Sequence, residues 1–239
     1  MGLNLGGMST HPQHAHTPIA QPSIAQPSAG LASPPATALA SWDNVSVSWR
    51  GRRLLRGFSH TASTGGIVGV IGAGGRAMDI TLVTLAARRT PTSGTIAIEG
   101  APGSVAIASL ASQSIDDPLT TVGDSLRTVT THSLHASRSE VSTWAAHTTG
   151  SLELATRTWL DLSPGQRVRA GLACALASGA PVIVVNAADV STPAEMAGVW
   201  TAITQLALTG RLVIVGWPTP STNMSATATM LDAAPEGHR

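Results

Sequence analysis

The chain contains no lysine: all 14 of its basic residues are arginine. It has no tyrosine, one phenylalanine (Phe58) and one cysteine (Cys174) in 239 residues, and only 11% of its positions are charged. A lone cysteine excludes an intramolecular disulfide framework, and its setting between Ala173 and Ala175 marks it as a small core residue. With a formal net charge of +1 and no basic-plus-aromatic clustering, nothing calls for a nucleic-acid partner or an anionic membrane surface. No positively charged start precedes an apolar core, so the N-terminus does not read as a secretory signal. The charge-free run between Ala170 and Ala188 approaches membrane-spanning length, but Gly179-Ala180-Pro181 divide it, and it reads as a helix followed by a buried strand.

What is there falls into two parts. Residues 1–40 are rich in Pro, Ser, Ala, Gln and His without periodicity, the composition of a disordered tail. His11, His14 and His16 lie in that tail, where nothing would support a metal ligand set. Residues 41–239 are long enough for one α/β domain with a proper core. Trp42 to Trp49 alternate like a half-buried strand, Gly51 turns the chain, and Leu54 to Phe58 continue as a second strand. We expect an antiparallel layer over about 42–66 and 93–108, a parallel α/β core, and a helical insert over about 114–162. The insert is rich in Ser and Thr, which compete for backbone hydrogen bonds, and should be thin.

Between a short apolar strand, Ile67 to Ile71, and a helix stands Gly72-Ala73-Gly74-Gly75-Arg76-Ala77-Met78-Asp79. A phosphate-binding loop would read G-x-x-x-x-G-K-[ST] at these positions. In such a loop backbone N–H groups and a helix N-terminus cradle the phosphates, a lysine neutralises them, and a hydroxyl holds Mg²⁺. Glycines remain here, but Met78 and Asp79 occupy the two reactive positions. Further on come Leu162-Ser163-Pro164-Gly165-Gln166, an alanine-rich helix, and the apolar strand Val182 to Asn186.

This order resembles the ATP-binding cassette family, the ATPase subunits of ABC transporters, from residue 42 to about 218. Trp49 matches the aromatic that stacks on adenine, Gly72 to Asp79 the phosphate loop, and Gln113 the glutamine that senses Mg²⁺ and the permease. Leu162 to Gln166 match the LSGGQ signature with Pro164 for a glycine, and Trp217 falls where the family has its switch histidine. The resemblance implies a P-loop NTPase cassette of the α/β class, with an antiparallel β subdomain and a helical insert. It also implies MgATP as ligand, a second nucleotide-binding subunit and a transmembrane permease as partners, and a cytoplasmic position against the membrane. The implied contacts to nucleotide are Trp49, Gly72, Gly74, Gly75, Arg76, Ala77, Met78, Asp79 and Gln113, with Ser163, Gly165 and Gln166 facing a partner's ATP.

The departures fall on the hydrolytic residues. Met78 replaces the lysine, Asp79 the Mg²⁺-binding hydroxyl, Asn186 the Mg²⁺-orienting aspartate, Ala187 the general-base glutamate and Trp217 the histidine, while Thr192-Pro193 replace Leu-Asp after the strand. No acid, base or metal anchor is left for hydrolysis. The two changes in the loop make it about two charges more negative, and a unit-charge pair near 4 Å is worth roughly 4 kcal/mol at an effective dielectric of about 20. Loop amides and the helix dipole contribute about 0.3–2 kcal/mol toward an anion, which does not compensate. MgATP binding should therefore be weak or absent unless Arg76 folds back over the phosphates. Local explanations exist for the retained landmarks too: Trp49 as strand-end packing, Gln113 as an exposed polar residue, Ser163-Pro164 as an N-cap and first helical turn. Three roles follow: a structural and regulatory half that completes a partner's site, a weak ATPase rewired through Arg76 and Asp79, and a scaffold that binds no nucleotide.

Overall fold

A long hairpin opens the fold: β1 (Ala38–Trp49) and β2 (Arg52–Ser63) pair antiparallel through a two-residue turn, Arg50-Gly51, in which both residues have positive φ (49° and 75°). That backbone matches the right-handed twist of the flanking strands. The computed structural model describes residues 38–99, 105–109, 118–130, 138–219 and 224–231, all in one unit spanning Pro35–Arg239. His11, His14, His16, Gln113 and the tail up to residue 37 lie outside the described residues. β1 begins three residues before the expected edge of the tail, because Ala40 pairs with both Ala62 and Ile98 and is buried.

β4 (Ser93–Ile98) pairs with the other edge of β1, giving a three-stranded antiparallel sheet in the order β2-β1-β4. Its inner face carries Trp42, Val45, Val47, Leu55 and Phe58, all buried. These pack on α1 (Arg76–Leu85), where the Trp42 indole donates to the Leu85 carbonyl at 2.8 Å.

The second sheet is wholly parallel and runs β5-β6-β7-β3-β8, with β3 (Ile67–Ile71), β5 (Val105–Ser109), β6 (Val182–Asn186), β7 (Leu212–Trp217) and β8 (Ala226–Thr229). The expectation that the antiparallel layer extends to residue 108 is corrected here. Val105–Ser109 pairs in parallel with Val182–Val185. Its small apolar pattern fits either sheet, and the long-range pairing decides. β3, β6 and β7 are buried along their whole length, as strands covered on both faces must be. Ile67, Ile183, Val185, Val213 and Val215 face α4 (Pro164–Ala177) and α5 (Pro193–Leu208), whereas Val68, Val70, Val184, Leu212 and Ile214 face α1 and the antiparallel sheet. The charge-free run 170–188 divides as expected into α4 and β6, turned by Gly179 at φ 79°.

The insert does form helices, α2 (Val122–Val129) and α3 (Arg138–Thr148), followed by two 3₁₀ turns. Thr121 caps α2 through Asp124, and hydrogen bonds from Thr121 and then Arg127 hold the Asp124 carboxyl below its usual range. Leu126, Ala145, Ala146, Leu154 and Trp159 supply a small core, while Leu119, Leu152 and Leu160 stay exposed. Among the described residues no helix is long and apolar enough to cross a membrane, and no group of three or more His, Cys, Asp or Glu residues is placed to hold a metal.

Cys174 lies on α4, where burial pushes its thiol up to about 12. The thiolate is the reactive form, and its native fraction at pH 8 is roughly a thousandfold below that of an unfolded thiol near 8.5. Iodoacetamide, followed by mass spectrometry, should therefore label the native chain at least about tenfold more slowly than the urea-unfolded chain. Comparable rates would show that the thiol is not held as described.

Candidate phosphate-loop site

Ligands of open parallel sheets bind outside the carboxyl ends of the strands, where neighbouring connections part. In this chain β3, β7 and β6 end side by side: Ile71 pairs with Trp217 and Asn186 with Gly216. The Gly72 N–H donates to the Trp217 carbonyl at 3.3 Å, and the Ala187 N–H to the Gly216 carbonyl at 3.0 Å. The sheet thus brings together Gly72, Asn186, Ala187 and Trp217, four positions spread over 146 residues of sequence.

From Gly72 the chain turns through Gly74 and Gly75 into α1, with Gly75 at the N-cap at φ 84° and no side-chain cap of its own. The group that meets this N-terminus comes from the connection after β6. The Asp189 carboxylate accepts from the Gly75 N–H at 3.4 Å and lies so close to Gly74 that a Cβ there would fall 1.8 Å from Oδ1. A side chain at position 74 would have to displace that carboxylate. The loop's geometry for an anion is retained, and the exposed Asp189 carboxylate lies over it, held by one N–H.

The two reactive positions are also turned to other uses. Met78 is fully buried and packs in the core between α1 and the sheet, and a Cβ on Gly216 would meet its Cγ and Sδ at 2.9 Å. The lysine's place is therefore a core position rather than a reach toward phosphate. Asp79 is 2% exposed and accepts from the Asn186 amide at 2.8 Å, while Asn186 Oδ1 accepts from the Ala188 N–H at 3.0 Å. Carboxylate and donor are exchanged relative to the order expected from the resemblance, and they bond directly, where a metal would stand between them. Ala77 is half-buried against the same core, and Arg76 is exposed at the first helical position. Trp217 is buried, its ring 5.2 Å from that of Trp200. These residues do not fit a magnesium nucleotide: a carboxylate stands in the loop, no cation is buried beneath it, and the metal-binding pair is closed on itself.

Trp49 ends β1, half-buried, and the Arg50 guanidinium covers its ring at 4.6 Å from the centroid. Ser163, Gly165 and Gln166, which the resemblance would turn toward a partner's ATP, stand at the start of a different helix, α4. The structure instead has Ser163 and Gln166 closing a capping box, with the Ser163 hydroxyl donating to Glu195. Glu195 also accepts from the Thr192 hydroxyl at 3.1 Å and crosses Gly165, where a Cβ would meet its own Cβ at 2.7 Å. A self-supplied carboxylate thus lies on this helix N-terminus as well.

Asp189 and Glu195 are the two residues that sequence reasoning missed. Thr192-x-x-Glu195 ahead of an apolar run is a legible capping signature, and Thr192 does accept from the Glu195 N–H. Nothing local signals that Glu195 reaches Ser163, or that Asp189 meets a loop 114 residues away.

No protein-family model and no curated protein matches the sequence. Solved structures do. A chain from Pyrococcus furiosus described as an ABC transporter ATP-binding protein superposes with a TM-score of 0.65 at 20% identity, over 80% of this chain and 96% of that one. CbiO1 from Clostridium perfringens, part of the ABC transporter complex cbiONQ, gives 0.60 at 15% identity over 82% and 87%. A nucleotide-free ATP-binding cassette from an ABC transporter gives 0.61 at 14% identity over 82% and 90%. At such identities the likeness is one of fold, and the fold of this chain is that of the ABC transporter ATP-binding cassette.

Proposed function

We propose that the chain is a non-hydrolysing cassette subunit of an ABC transporter, the structural and regulatory half of a nucleotide-binding pair, held at the cytoplasmic side of a membrane through a permease. The observation that carries this reading is the Asp189 carboxylate on the Gly74-Gly75 loop. A polyanion entering there would meet the Asp189 carboxylate, with Met78 buried where a lysine would offset it. The rewired-ATPase reading loses its support, because Asp79 is engaged by Asn186 rather than open to a metal.

Purified full-length chain should show no saturable, Mg²⁺-dependent ATP binding by calorimetry and no turnover above a nucleotide-free background. In thermal unfolding, nucleotide at a hundred times its Kd would add about 2.7 kcal/mol of stability, so millimolar ATP provides an independent readout. Saturable binding with turnover would sink the proposal.

One observation favours the scaffold reading as the runner-up: Glu195 covers the α4 N-terminus that a completing subunit would offer to its partner's ATP. The two separate in the complex isolated through a tag on this chain. If the chain completes a partner's site, Ser163→Ala lowers the complex's ATPase rate by about tenfold or more, in line with loss of one phosphate-stabilising contact. An unchanged rate selects the scaffold.

A further inference from the structure

One carboxylate-free run carries five of the chain's 14 arginines, and four of the five lie on the β1–β2 hairpin. From Asn44 to Met78, 35 residues, there is no Asp or Glu, while Arg50, Arg52, Arg53, Arg56 and Arg76 all fall within the run. The local excess of five positive charges stands in a chain whose formal total is +1. Two of these arginines, Arg53 and Arg56, line a groove of about 390 Å³ on the antiparallel sheet, together with Ser46, Ser48, Thr92 and Ser93. Ser46 and Ser48 alternate with the buried Val45 and Val47, which puts the groove on the face of β1 turned away from the core.

The hydrogen bonding of the lining is one-sided. The Ser46 hydroxyl accepts from the Gly57 N–H at 3.1 Å, and the Thr92 hydroxyl accepts from the Ser48 N–H at 2.8 Å. With an acceptor lone pair of each already engaged, their O–H groups are left to donate into the groove. Among the described residues no carboxylate lines it, and both guanidiniums are exposed with no ion pair. Guanidinium forks beside hydroxyl donors match a group carrying several acceptor oxygens and more than one negative charge.

We propose that this groove, lined by Arg53, Arg56 and the hydroxyls of Ser46, Ser48, Thr92 and Ser93, binds a phosphate-bearing anion, either a soluble phosphate ester or a lipid phosphate headgroup. The site lies on the sheet β2-β1-β4 rather than at the carboxyl ends of the parallel strands, and it stands independently of whether the loop takes nucleotide.

The test uses the full chain in two arms: calorimetric titration with pyrophosphate, and flotation with phosphatidylcholine vesicles containing phosphatidic acid. Saturable binding in either arm should weaken by about tenfold or more in the double variant Arg53→Gln/Arg56→Gln, the scale expected when charge-assisted bonds to one ligand are removed. It should weaken further with added salt, since the groups are exposed. Arg127→Gln, which removes one positive charge from α2, should leave it within about twofold, inside the spread of a distant surface substitution. Binding of pyrophosphate identifies a soluble ligand, and binding confined to the vesicles a headgroup. Both side chains are exposed, so the double variant should unfold at the parental temperature, which separates lost binding from lost structure. Binding in neither arm overturns the proposal, as does binding that survives the double variant. An equal loss in Arg127→Gln, or loss in Arg76→Gln with retention in the double variant, overturns it too, since the latter would put the anion at the loop.

Discussion

Replacing Asn186 with aspartate, the residue that the resemblance expects at the end of this strand, should destabilise the chain by about 3–5 kcal/mol at neutral pH, the scale of a buried charge left without its partner. In the native site the Asn186 amide donates to Asp79 Oδ1 at 2.8 Å, and both side chains are at least 95% buried. Asn186→Asp turns that donor into a second acceptor. Two carboxylates at hydrogen-bond distance cannot both ionise, so the folded variant must hold a proton that the unfolded chain releases near pH 3.9. The folded state then binds more protons than the unfolded one, and stability falls as pH rises, by up to about 1.4 kcal/mol per unit for one proton. The gap between variant and parent should close near pH 4 and widen toward pH 7. Urea unfolding at several pH values measures it, and an Asn186→Asp chain as stable as the parent at pH 7 would disprove the pairing. The exchange Asp79→Asn with Asn186→Asp restores one donor and one carboxylate and should recover most of the loss. This also explains why the two positions depart from the expected order together: once the carboxylate sits on α1, the strand must supply a donor.

Gly171→Ala should also destabilise, by about 1 kcal/mol net, against the helix propensity that favours alanine over glycine by about 1 kcal/mol. Gly171 lies within α4, where the helix crosses β5 so closely that a Cβ would fall 2.0 Å from the Ala108 carbonyl oxygen and 2.9 Å from its carbon. The obstacle is β5 backbone, at the register irregularity between Ile107 and Ser109, and it cannot rotate aside as a long side chain can. The helix would have to lift by more than an ångström, and overpacking of this kind typically costs about 1–3 kcal/mol. For a domain of this size the net loss corresponds to a fall of about 2–4 °C in unfolding temperature. A rise in stability would mean that propensity had won and that α4 does not approach β5 as described. Gly171→Val should be worse, since it adds two methyl groups to the same overlap.

The landmarks of the fold were legible because each is local. Glycines at the exit of a five-residue apolar strand, Ser-Pro ahead of an alanine-rich helix, and alternation along Val45 to Ser48 all depend on residues within a few positions of one another. The register break between Trp42 and Val45 interrupts the expected alternation over Trp42 to Trp49. The substitutions were equally legible, since Met78, Asp79, Asn186 and Ala187 can be read at once against what phosphate chemistry needs. The sheet that Val105–Ser109 joins was not legible, because its alternation satisfies an antiparallel edge as well as a parallel one.

The sequence by itself therefore determined that the chain has a loop, a signature-like helix and a strand in the order of a cassette, with the charges for hydrolysis missing. Tertiary structure alone decided what stands in place of those charges: Met78 in the core, Asp79 on Asn186, Asp189 on the loop and Glu195 across Ser163 and Gly165. The reason is distance along the chain. Propensity, capping and periodicity act over a few residues, whereas the Asp79–Asn186 and Gly75–Asp189 contacts join positions more than a hundred residues apart, which meet only once β3, β6 and β7 have lined up their carboxyl ends.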